Sequence, residues 1–295
     1  MLDERREIRD KRCFELSSRT SFRDHLWKSS WRPVGSIGSI VVLFALAFLS
    51  ACTDYVAQIE DRYGEWETSS VTPQSSSSMT RVSTSTMTDS RDGQTYKTVT
   101  IGSQTWMAQN LNYAYTGVPY NYGSYTSDST SWCYGNEASN CTKYGRLYTW
   151  AAAMDSVGTW SANGKGCGYY KTCSPIEIVR GVCPEGWHLP TQGEWNALFN
   201  AVGGRSTAGK MLKSTSGWSN SGNGTDSYGF SALPAGNRYD DGNYDDEDYD
   251  ANFWSSTEKD SSYVYTMGLY YSSGSVSLEK TLIKNMGVSV RCLKY

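Results

Sequence analysis

The stretch CPEGWHLPTQGEW, residues 183–195, joins a cysteine, two tryptophans and a histidine to the start of a helix. Thr191 and Glu194 match the capping box, in which each side chain accepts a hydrogen bond from the backbone N–H of the other residue. The apolar residues that follow recur at helical spacing and predict one buried face: Trp195, Leu198, Phe199 and Val202. Gly203 and Gly204 follow this pattern and are expected to end the helix. The stretch therefore predicts a capped amphipathic helix with Trp187 and Trp195 in the core.

Weaker patterns on both sides of this helix predict a small α+β domain. A short helix is expected within GRLYTWAAAMDS, residues 145–156, and another near residues 208–213. The stretch YKTVTIGSQTWMAQNL, residues 96–111, predicts two strands joined by a two-residue turn at Gly102 and Ser103. Further strands are predicted in the turn-rich remainder at GFSALPAG, NFWSSTE, SYVYTMGLYY, GSVSLEK and GVSVRCLKY.

Residues 1–51 have the layout of a signal peptide with a long N-terminal extension. The run VGSIGSIVVLFALAFLSAC, residues 34–52, is uncharged and largely apolar, and cations precede it. Its length is near the lower limit for a membrane-spanning helix, so a signal anchor is the alternative. The ending LSAC resembles the lipobox of bacterial lipoproteins. This resemblance implies that Cys52 is diacylated and that the lipid holds the chain at a membrane.

Residues 52–89 are expected to form a tether between the lipid and the domain. The stretch SSVTPQSSSSMTRVSTSTMTDS is rich in Ser and Thr and has few apolar residues. Such a segment cannot bury enough surface to offset the entropy of ordering, so we expect a disordered linker. The folded domain is expected over residues 90–295.

Cysteine usage predicts an exported domain held by disulfides. Once Cys13 is assigned to the signal region and Cys52 to the lipid, an even number remains: Cys133, Cys141, Cys167, Cys173, Cys183 and Cys292. Spacing favours two local pairs, Cys133 with Cys141 and Cys167 with Cys173, which leaves Cys183 and Cys292 to close a long loop. Other pairings remain open at this point. Zinc requires closely spaced cysteine pairs or accompanying histidines, and the spacings do not fit, so we expect no metal and no cofactor.

Composition points to an extracellular recognition surface. The chain has 22 Tyr and 11 Trp against 7 Phe, and its net charge is −3. Tyr and Trp combine a large apolar ring with a polar end, which suits a wet binding surface. The basic patch that nucleic-acid binding needs is absent from this acidic composition, so we expect no nucleic-acid partner.

The stretch RYDDGNYDDEDYDANF, residues 238–253, contains seven carboxylates and three tyrosines. Tyr rings offer rigid contact area and carboxylates accept hydrogen bonds from ligand hydroxyls, so this stretch and a nearby strand predict a ligand-binding surface. The candidate residues are Tyr239, Asp241, Tyr244, Asp246, Tyr249, Asp250, Tyr263 and Tyr265. A solvated acidic loop is the alternative. Calcium-mediated binding is disfavoured because the run lacks the spacing of a calcium loop.

His188 is the only histidine of the predicted domain, so any Ser-His-Asp or Cys-His nucleophile system would depend on it. Its position between Trp187 and Leu189, just before a helix, favours a packed structural histidine. No carboxylate pair stands out as a glycosidase site. We therefore predict no catalytic residues.

Seven segments together are similar to the Fibrobacter succinogenes major paralogous domain: DGQTYKTVTIGSQTWMAQNLNY, CTKYGRLYTWAAAMDS, GKGCGYYKTCSP, VRGVCPEGWHLPTQGEWNAL, GFSALPAGNR, FWSSTE and SVRCLKY. This resemblance covers about residues 90–295 and carries no assigned activity. HLPTQGEW and the Arg-containing last strand also resemble formylglycine-generating enzymes and the wider C-type lectin-like fold. That resemblance implies a single domain with two or three short helices, a twisted antiparallel sheet and neighbouring termini.

The lectin-like fold also resembles that of variable proteins diversified by retroelements, whose binding faces are rich in Tyr and Asp. We accordingly expect a monomeric surface lipoprotein at the outer membrane or cell surface of a Gram-negative bacterium. Its domain is expected to bind a polysaccharide or a protein without catalysis, as an adhesion module would. The alternative is an exported oxidase or hydrolase on a fold like that of formylglycine-generating enzymes.

Overall fold

A computed structural model describes residues 82–122, 125–173, 175 and 178–295. The predicted signal peptide, the lipidation site Cys52 and most of the predicted tether lie outside these ranges. Within them, no helix is both long enough and apolar enough to cross a membrane.

The described residues form a mixed α+β domain with few helices. The strands are β1 (Ser83–Thr88), β2 (Thr95–Ile101), β3 (Gln104–Met107), β4 (Thr116–Tyr122), β5 (Tyr125–Ser129), β6 (Ser131–Trp132), β7 (Leu147–Tyr148), β8 (Trp187–His188), β9 (Ala235–Arg238), β10 (Tyr244–Glu247), β11 (Asp250–Glu258), β12 (Tyr263–Tyr270), β13 (Val276–Ser277), β14 (Thr281–Ile283), β15 (Val288–Ser289) and β16 (Leu293–Lys294). The helices are α1 (Ala138–Tyr144), α2 (Trp150–Ala153), α3 (Gln192–Ala201) and α4 (Arg205–Leu212), with a 3-10 turn at Tyr134–Asn136.

The first sheet joins the beginning, middle and end of the domain. Its strand order is β1-β2-β3-β16-β8, and every pairing is antiparallel. The predicted hairpin of β2 and β3, with its turn at Gly102 and Ser103, is confirmed. Leu293 in the last strand lies opposite Trp106 on one side and His188 on the other. The segment that contains Trp187 and His188 is therefore tied to the chain end through backbone pairing.

The domain begins earlier than the predicted boundary at residue 90. Strand β1 covers Ser83–Thr88, inside the predicted tether, and pairs along its length with β2. Its side chains are mostly exposed, so hydrophobic periodicity could not reveal it. Its many Thr residues suit a pleated edge strand, and backbone hydrogen bonds to β2 order it. The last part of the predicted tether is thus strand.

The second sheet corrects the expectation of a purely antiparallel arrangement. Its main order is β10-β9-β11-β15-β7-β6, and β12 pairs with β11, β13 and β14. Strand β11 pairs in parallel with both β9 and β15, each through one residue pair. In both cases intervening strands of the same sheet reverse the chain: β10 runs antiparallel to β9, and β12 runs antiparallel to β11, before the parallel partner enters.

Helix α3 confirms the predicted cap and stop. The Glu194 N–H donates to Thr191 Oγ1 at 3.1 Å, and the Thr191 N–H donates to Glu194 Oε2 at 2.8 Å. Gly203 and Gly204 have φ of 101° and 94°, the left-handed region that ends a helix. The helix packs its buried Trp195, Leu198 and Phe199 against β11 and β12. Helix α4 follows at Arg205–Leu212, close to the predicted third helix.

The stretch 145–156 is divided between a strand and a helix, whereas the spacing predicts one helix. Leu147 and Tyr148 form β7, and α2 begins only at Trp150. The division falls at Thr149, whose hydroxyl accepts the Ala152 N–H at 3.1 Å and so caps the helix there. Helix α1 (Ala138–Tyr144) was not predicted from the sequence.

All three favoured disulfides are present. Cys133–Cys141, Cys167–Cys173 and Cys183–Cys292 have Cα–Cα distances of 4.8, 5.1 and 5.9 Å. The Cys133–Cys141 disulfide closes the loop between β6 and α1. The Cys183–Cys292 disulfide ties the segment before α3 to the last residues of the chain.

Tryptophans organise two hydrophobic clusters. The first contains Trp150, Trp187 and Trp254 together with the Cys183–Cys292 disulfide. The second contains Trp106 and Trp195, whose rings stack with centroids 4.5 Å apart. The prediction that Trp187 and Trp195 lie in the core is confirmed, since they are 5% and 0% exposed. The Trp254 indole N–H donates to the Tyr148 carbonyl at 2.7 Å, so its polar end is satisfied despite full burial.

Candidate functional site

The predicted binding stretch forms a hairpin of β9 and β10 that projects beside β11. Its turn is closed by two backbone hydrogen bonds, from the Tyr239 N–H to the Asn243 carbonyl at 2.7 Å and from the Gly242 N–H to the Tyr239 carbonyl at 3.1 Å. Asp241 accepts both the backbone and side-chain N–H groups of Asn243 at 3.0 and 2.8 Å. These bonds hold the pKa of the Asp241 carboxyl below its usual range. Asp241 therefore serves the turn itself.

Tyr244 fastens the hairpin to the rest of the domain. Its hydroxyl donates to Asn136 Oδ1 at 2.8 Å, and its ring lies 5.2 Å from that of Tyr134. On the same side, the Tyr144 hydroxyl donates to Asp248 Oδ1 at 3.0 Å. The predicted contact residue Tyr244 is thus half-buried and positions the hairpin.

A chain of hydrogen bonds runs from the hairpin into β11. Asn252 Nδ2 donates to Asn237 Oδ1 at 2.8 Å, and Asn237 Nδ2 donates to Asp246 Oδ2 at 2.9 Å. Burial raises the pKa of Asp246, and the neighbouring Asp245 raises it further. Asn252 is fully buried, and its side-chain oxygen has no hydrogen-bond partner among the described residues.

Lys280 completes this group of polar side chains. Its ammonium lies 3.6 Å from Asp250 Oδ2 and 4.9 Å from the centre of the Tyr270 ring. Burial raises the pKa of Asp250, although the charge of Lys280 opposes that rise. Two partly buried carboxylates and one ammonium are therefore held together between the hairpin and β12.

Two tyrosines flank the polar group and expose their rings. Tyr239 is 38% exposed, and Tyr249 is 44% exposed and meets the Tyr271 ring edge-on at 5.1 Å. Burial and then the charge of Asp246 raise the pKa of Tyr239, so its ring borders the carboxylates. We call the surface formed by Tyr239, Asp246, Tyr249, Asp250 and Lys280 the hairpin face.

Tyr263 and Tyr265 do not join the hairpin face. They occupy the start of β12, opposite Ile283 and Thr281, whereas Tyr270 at its other end approaches Lys280. Seven residue steps at about 3.3 Å each place Tyr263 about 23 Å from Tyr270 along the strand. The predicted single surface is therefore split, with Tyr263 39% exposed at a separate location.

Residues that the sheet brings to the hairpin face or beneath it were not predicted from the sequence. Lys280 and Asn237 carry no local signal, because their proximity to Asp250 and Asp246 depends on strand pairing. Asn252 had a usable signal: a polar residue inside the apolar strand NFW indicates a buried hydrogen-bonding role. The described residues contain no group of His, Cys, Asp and Glu arranged to hold a metal ion.

His188 holds the helix cap. Its Nε2 lies 2.9 Å from Glu194 Oε1, the ring is 2% exposed, and the C-terminal Tyr295 ring covers it at 4.7 Å. Both Cys183 and Cys292 are in a disulfide, so neither is a free thiol beside this histidine. The geometry gives His188 a structural task that explains its burial.

A family model described as the Fibrobacter succinogenes major domain matches residues 99–294. Comparison finds no similar curated protein and no similar solved structure. The matched region contains every strand from β3 onward and all four helices of the described residues.

Proposed function

The chain belongs to the Fibrobacter succinogenes major domain family, and we propose that it is an exported surface lipoprotein whose domain recognises a polysaccharide without catalysis. The observation that carries this proposal is the hairpin face. There, the exposed ring of Tyr239 borders the carboxylates of Asp246 and Asp250 and the ammonium of Lys280, and the exposed ring of Tyr249 immediately precedes Asp250 in the chain.

The chemistry of this face matches the needs of a sugar ligand. Carboxylates accept hydrogen bonds from hydroxyls, Lys280 donates to hydroxyl or ring oxygens, and Tyr rings supply rigid apolar area at small entropy cost. The hairpin is pre-organised, because Asp241 closes its turn and Tyr244 fastens its base. A pre-organised face loses little conformational entropy on binding.

The location and the state of assembly belong to the same proposal. The signal run and the lipobox-like LSAC support diacylation of Cys52 and attachment to the outer membrane or cell surface of a Gram-negative bacterium. The Ser/Thr-rich tether then holds a monomeric domain away from the bilayer, free to meet an external ligand.

The finer fold assignment is also a proposal: the domain is a variant of the C-type lectin-like fold. Its support is that β16 closes the first sheet against β3, which brings the chain end to the N-terminal hairpin. The Cys183–Cys292 disulfide ties the HLPTQGEW segment to the same strand. An experimental structure that superposes on a lectin-like domain would establish it.

Binding of the purified protein to an array of glycans and cell-wall polysaccharides tests the recognition function. We expect saturable binding that Tyr249→Ala weakens about tenfold, because the variant removes an exposed ring from the face. Tyr170→Ala is the matched control, since Tyr170 is 72% exposed and lies outside the hairpin face. Equal losses for the two variants, or an array with no binding, would contradict polysaccharide recognition through this face.

The alternative of an exported oxidase or hydrolase has its own test. His188→Ala should leave polysaccharide binding intact, apart from reduced stability, because the histidine is buried beneath Tyr295. Turnover of a polysaccharide by the wild-type protein, abolished by this variant, would favour the enzyme.

A further inference from the structure

A polar cleft lies on another part of the domain, between the first sheet and the C-terminal end of α1. Its volume is about 220 Å³. This is less than the roughly 300 Å³ at which drug-sized pockets begin. The cleft is therefore sized for one small ring with polar substituents.

The charge of the cleft is opposite to that of the chain. Lys97, Lys143 and Arg291 line it, and none of the described lining residues carries a carboxylate. Lys97 is exposed and forms no ion pair with any residue of the described ranges. Lys143 is 50% exposed and is shared with the hairpin, 3.9 Å from Glu247 and 4.0 Å from Asp248. A net positive cleft on a protein of charge −3 favours an anionic ligand.

The buried Arg291 adds to the preference of the cleft for an anion. It is fully buried, and among the described residues its hydrogen bonds go to neutral acceptors: Asn110 Oδ1 at 3.1 and 2.8 Å, the Ser231 carbonyl at 3.3 Å and the Phe230 carbonyl. Burial lowers the pKa of Arg291 to about 9, although the charge of Asp226 opposes that shift. Arg291 forms no ion pair with the described residues, and a buried charge without a close counter-ion is costly, so an anion in the adjoining cleft would be stabilised by it.

Neutral polar groups on the same walls call for a ligand with hydroxyls. Gln94, Gln109 and Asn112 also line the cleft. Amide side chains offer both donors and acceptors, and those of Gln94 and Gln109 reach the surface of the cleft. A carboxylate alone cannot use these donors and acceptors together, whereas a ring that carries both a carboxylate and hydroxyls can.

We propose that the cleft binds a single uronic acid residue of an acidic polysaccharide, with the carboxylate toward Lys97, above the buried Arg291, and hydroxyls toward Gln94 and Gln109. This inference rests on the proposed polysaccharide recognition for the choice of a sugar over an acidic peptide. Its residues are separate from the hairpin face, so the two sites can be tested apart.

Titration of the purified protein with galacturonate and with its neutral counterpart galactose, by calorimetry, tests this site. We expect galacturonate to bind, galactose to bind more weakly, and high salt to reduce the difference, because exposed charges are screened. Lys97→Ala should weaken galacturonate binding about fivefold, the upper end for a partly exposed ion pair. Lys165→Ala, which removes an exposed lysine outside the cleft, should leave it unchanged.

Two further variants distinguish binding in the cleft from binding at the hairpin face. Gln109→Glu places a carboxylate beside that of the ligand and should weaken galacturonate binding more than galactose binding, and unchanged thermal unfolding shows that the variant is folded. Tyr249→Ala should leave galacturonate binding intact. If this variant abolishes that binding, the uronate binds the hairpin face. The cleft proposal is then overturned, while the proposed function survives. Equal affinity for the two sugars, or binding of a glutamate oligomer without galacturonate, also overturns it.

Discussion

Glu194 is the residue where the cap of α3 and the buried histidine meet. Its carboxylate accepts the Thr191 N–H at 2.8 Å and lies 2.9 Å from His188 Nε2. Burial raises the pKa of Glu194, but the hydrogen bonds from His188 and Thr191 outweigh burial and leave the pKa below its usual range. The capping pattern was predictable from residues three apart, whereas the histidine contact required β8 to lie beside the helix entry.

The lowered pKa of Glu194 has a pH signature. A carboxyl with a folded pKa below its unfolded value of about 4.3 stabilises the fold above that pH and loses this contribution as pH falls through the folded pKa. We expect Glu194→Gln to lower the free energy of unfolding at pH 7 by about 1 kcal/mol, because Gln still caps but carries no charge. The variant should also flatten the decline below about pH 4.3 in denaturant titrations.

Glu185→Gln is the matched control for that titration. Glu185 is exposed in the turn before β8 and forms no ion pair with the described residues, so the acid decline should persist. A Glu194→Gln decline as steep as that of the wild type would show that the pair with His188 carries no electrostatic stabilisation.

The β9–β10 hairpin is the element on which the hairpin face depends. Gly236 has φ of 63°, and a Cβ there would lie 2.4 Å from the Asp245 carbonyl oxygen and 2.7 Å from the Glu247 nitrogen. The strands can approach only because this position has no side chain. The sequence predicted a strand around Gly236 but not this approach, since the partner atoms belong to the returning strand.

Gly236→Ala should therefore disrupt the hairpin. We expect a loss of about 2 kcal/mol or more in the free energy of unfolding, since backbone strain adds to the steric overlap. Gly193→Ala is the opposite case: its Cβ would meet nothing closer than 3.8 Å inside α3, so it should stabilise by about 0.5–1 kcal/mol. Chemical denaturation of both variants measures these changes in the free energy of unfolding. A Gly236→Ala protein as stable as the wild type would refute the claim that the two strands approach too closely for a side chain.

The whole molecule is held together by the link between its middle and its end. The Cys183–Cys292 disulfide spans a sequence separation of 109 and lies inside the first hydrophobic cluster, beside the β8–β16 pairing. Cys133–Cys141, by comparison, spans only 8 residues and confines a local loop. Loop-closure entropy rises with loop length, so the two disulfides should differ in what they contribute.

Removing each disulfide by paired Cys→Ala substitution measures that difference. The chain-entropy relation gives a loss of about 5 kcal/mol for Cys183 with Cys292 and about 2.5 kcal/mol for Cys133 with Cys141. The shorter loop serves as the control for loss of a disulfide as such. Comparable losses in urea unfolding would mean that the long link does not restrict the unfolded chain as its length implies.

The sequence by itself determined the features whose signals lie within a few residues: the capped helix α3, the β2–β3 hairpin, the favoured cysteine pairs and the acidic Tyr-rich stretch. Capping, helical periodicity and turn chemistry are short-range, so local patterns suffice for them. Only the tertiary structure decided which distant residues meet. Strand register placed Lys280 beside Asp250, separated Tyr263 from the hairpin face and set Arg291 beneath a cleft, because pairing between remote strands leaves no periodicity in either one.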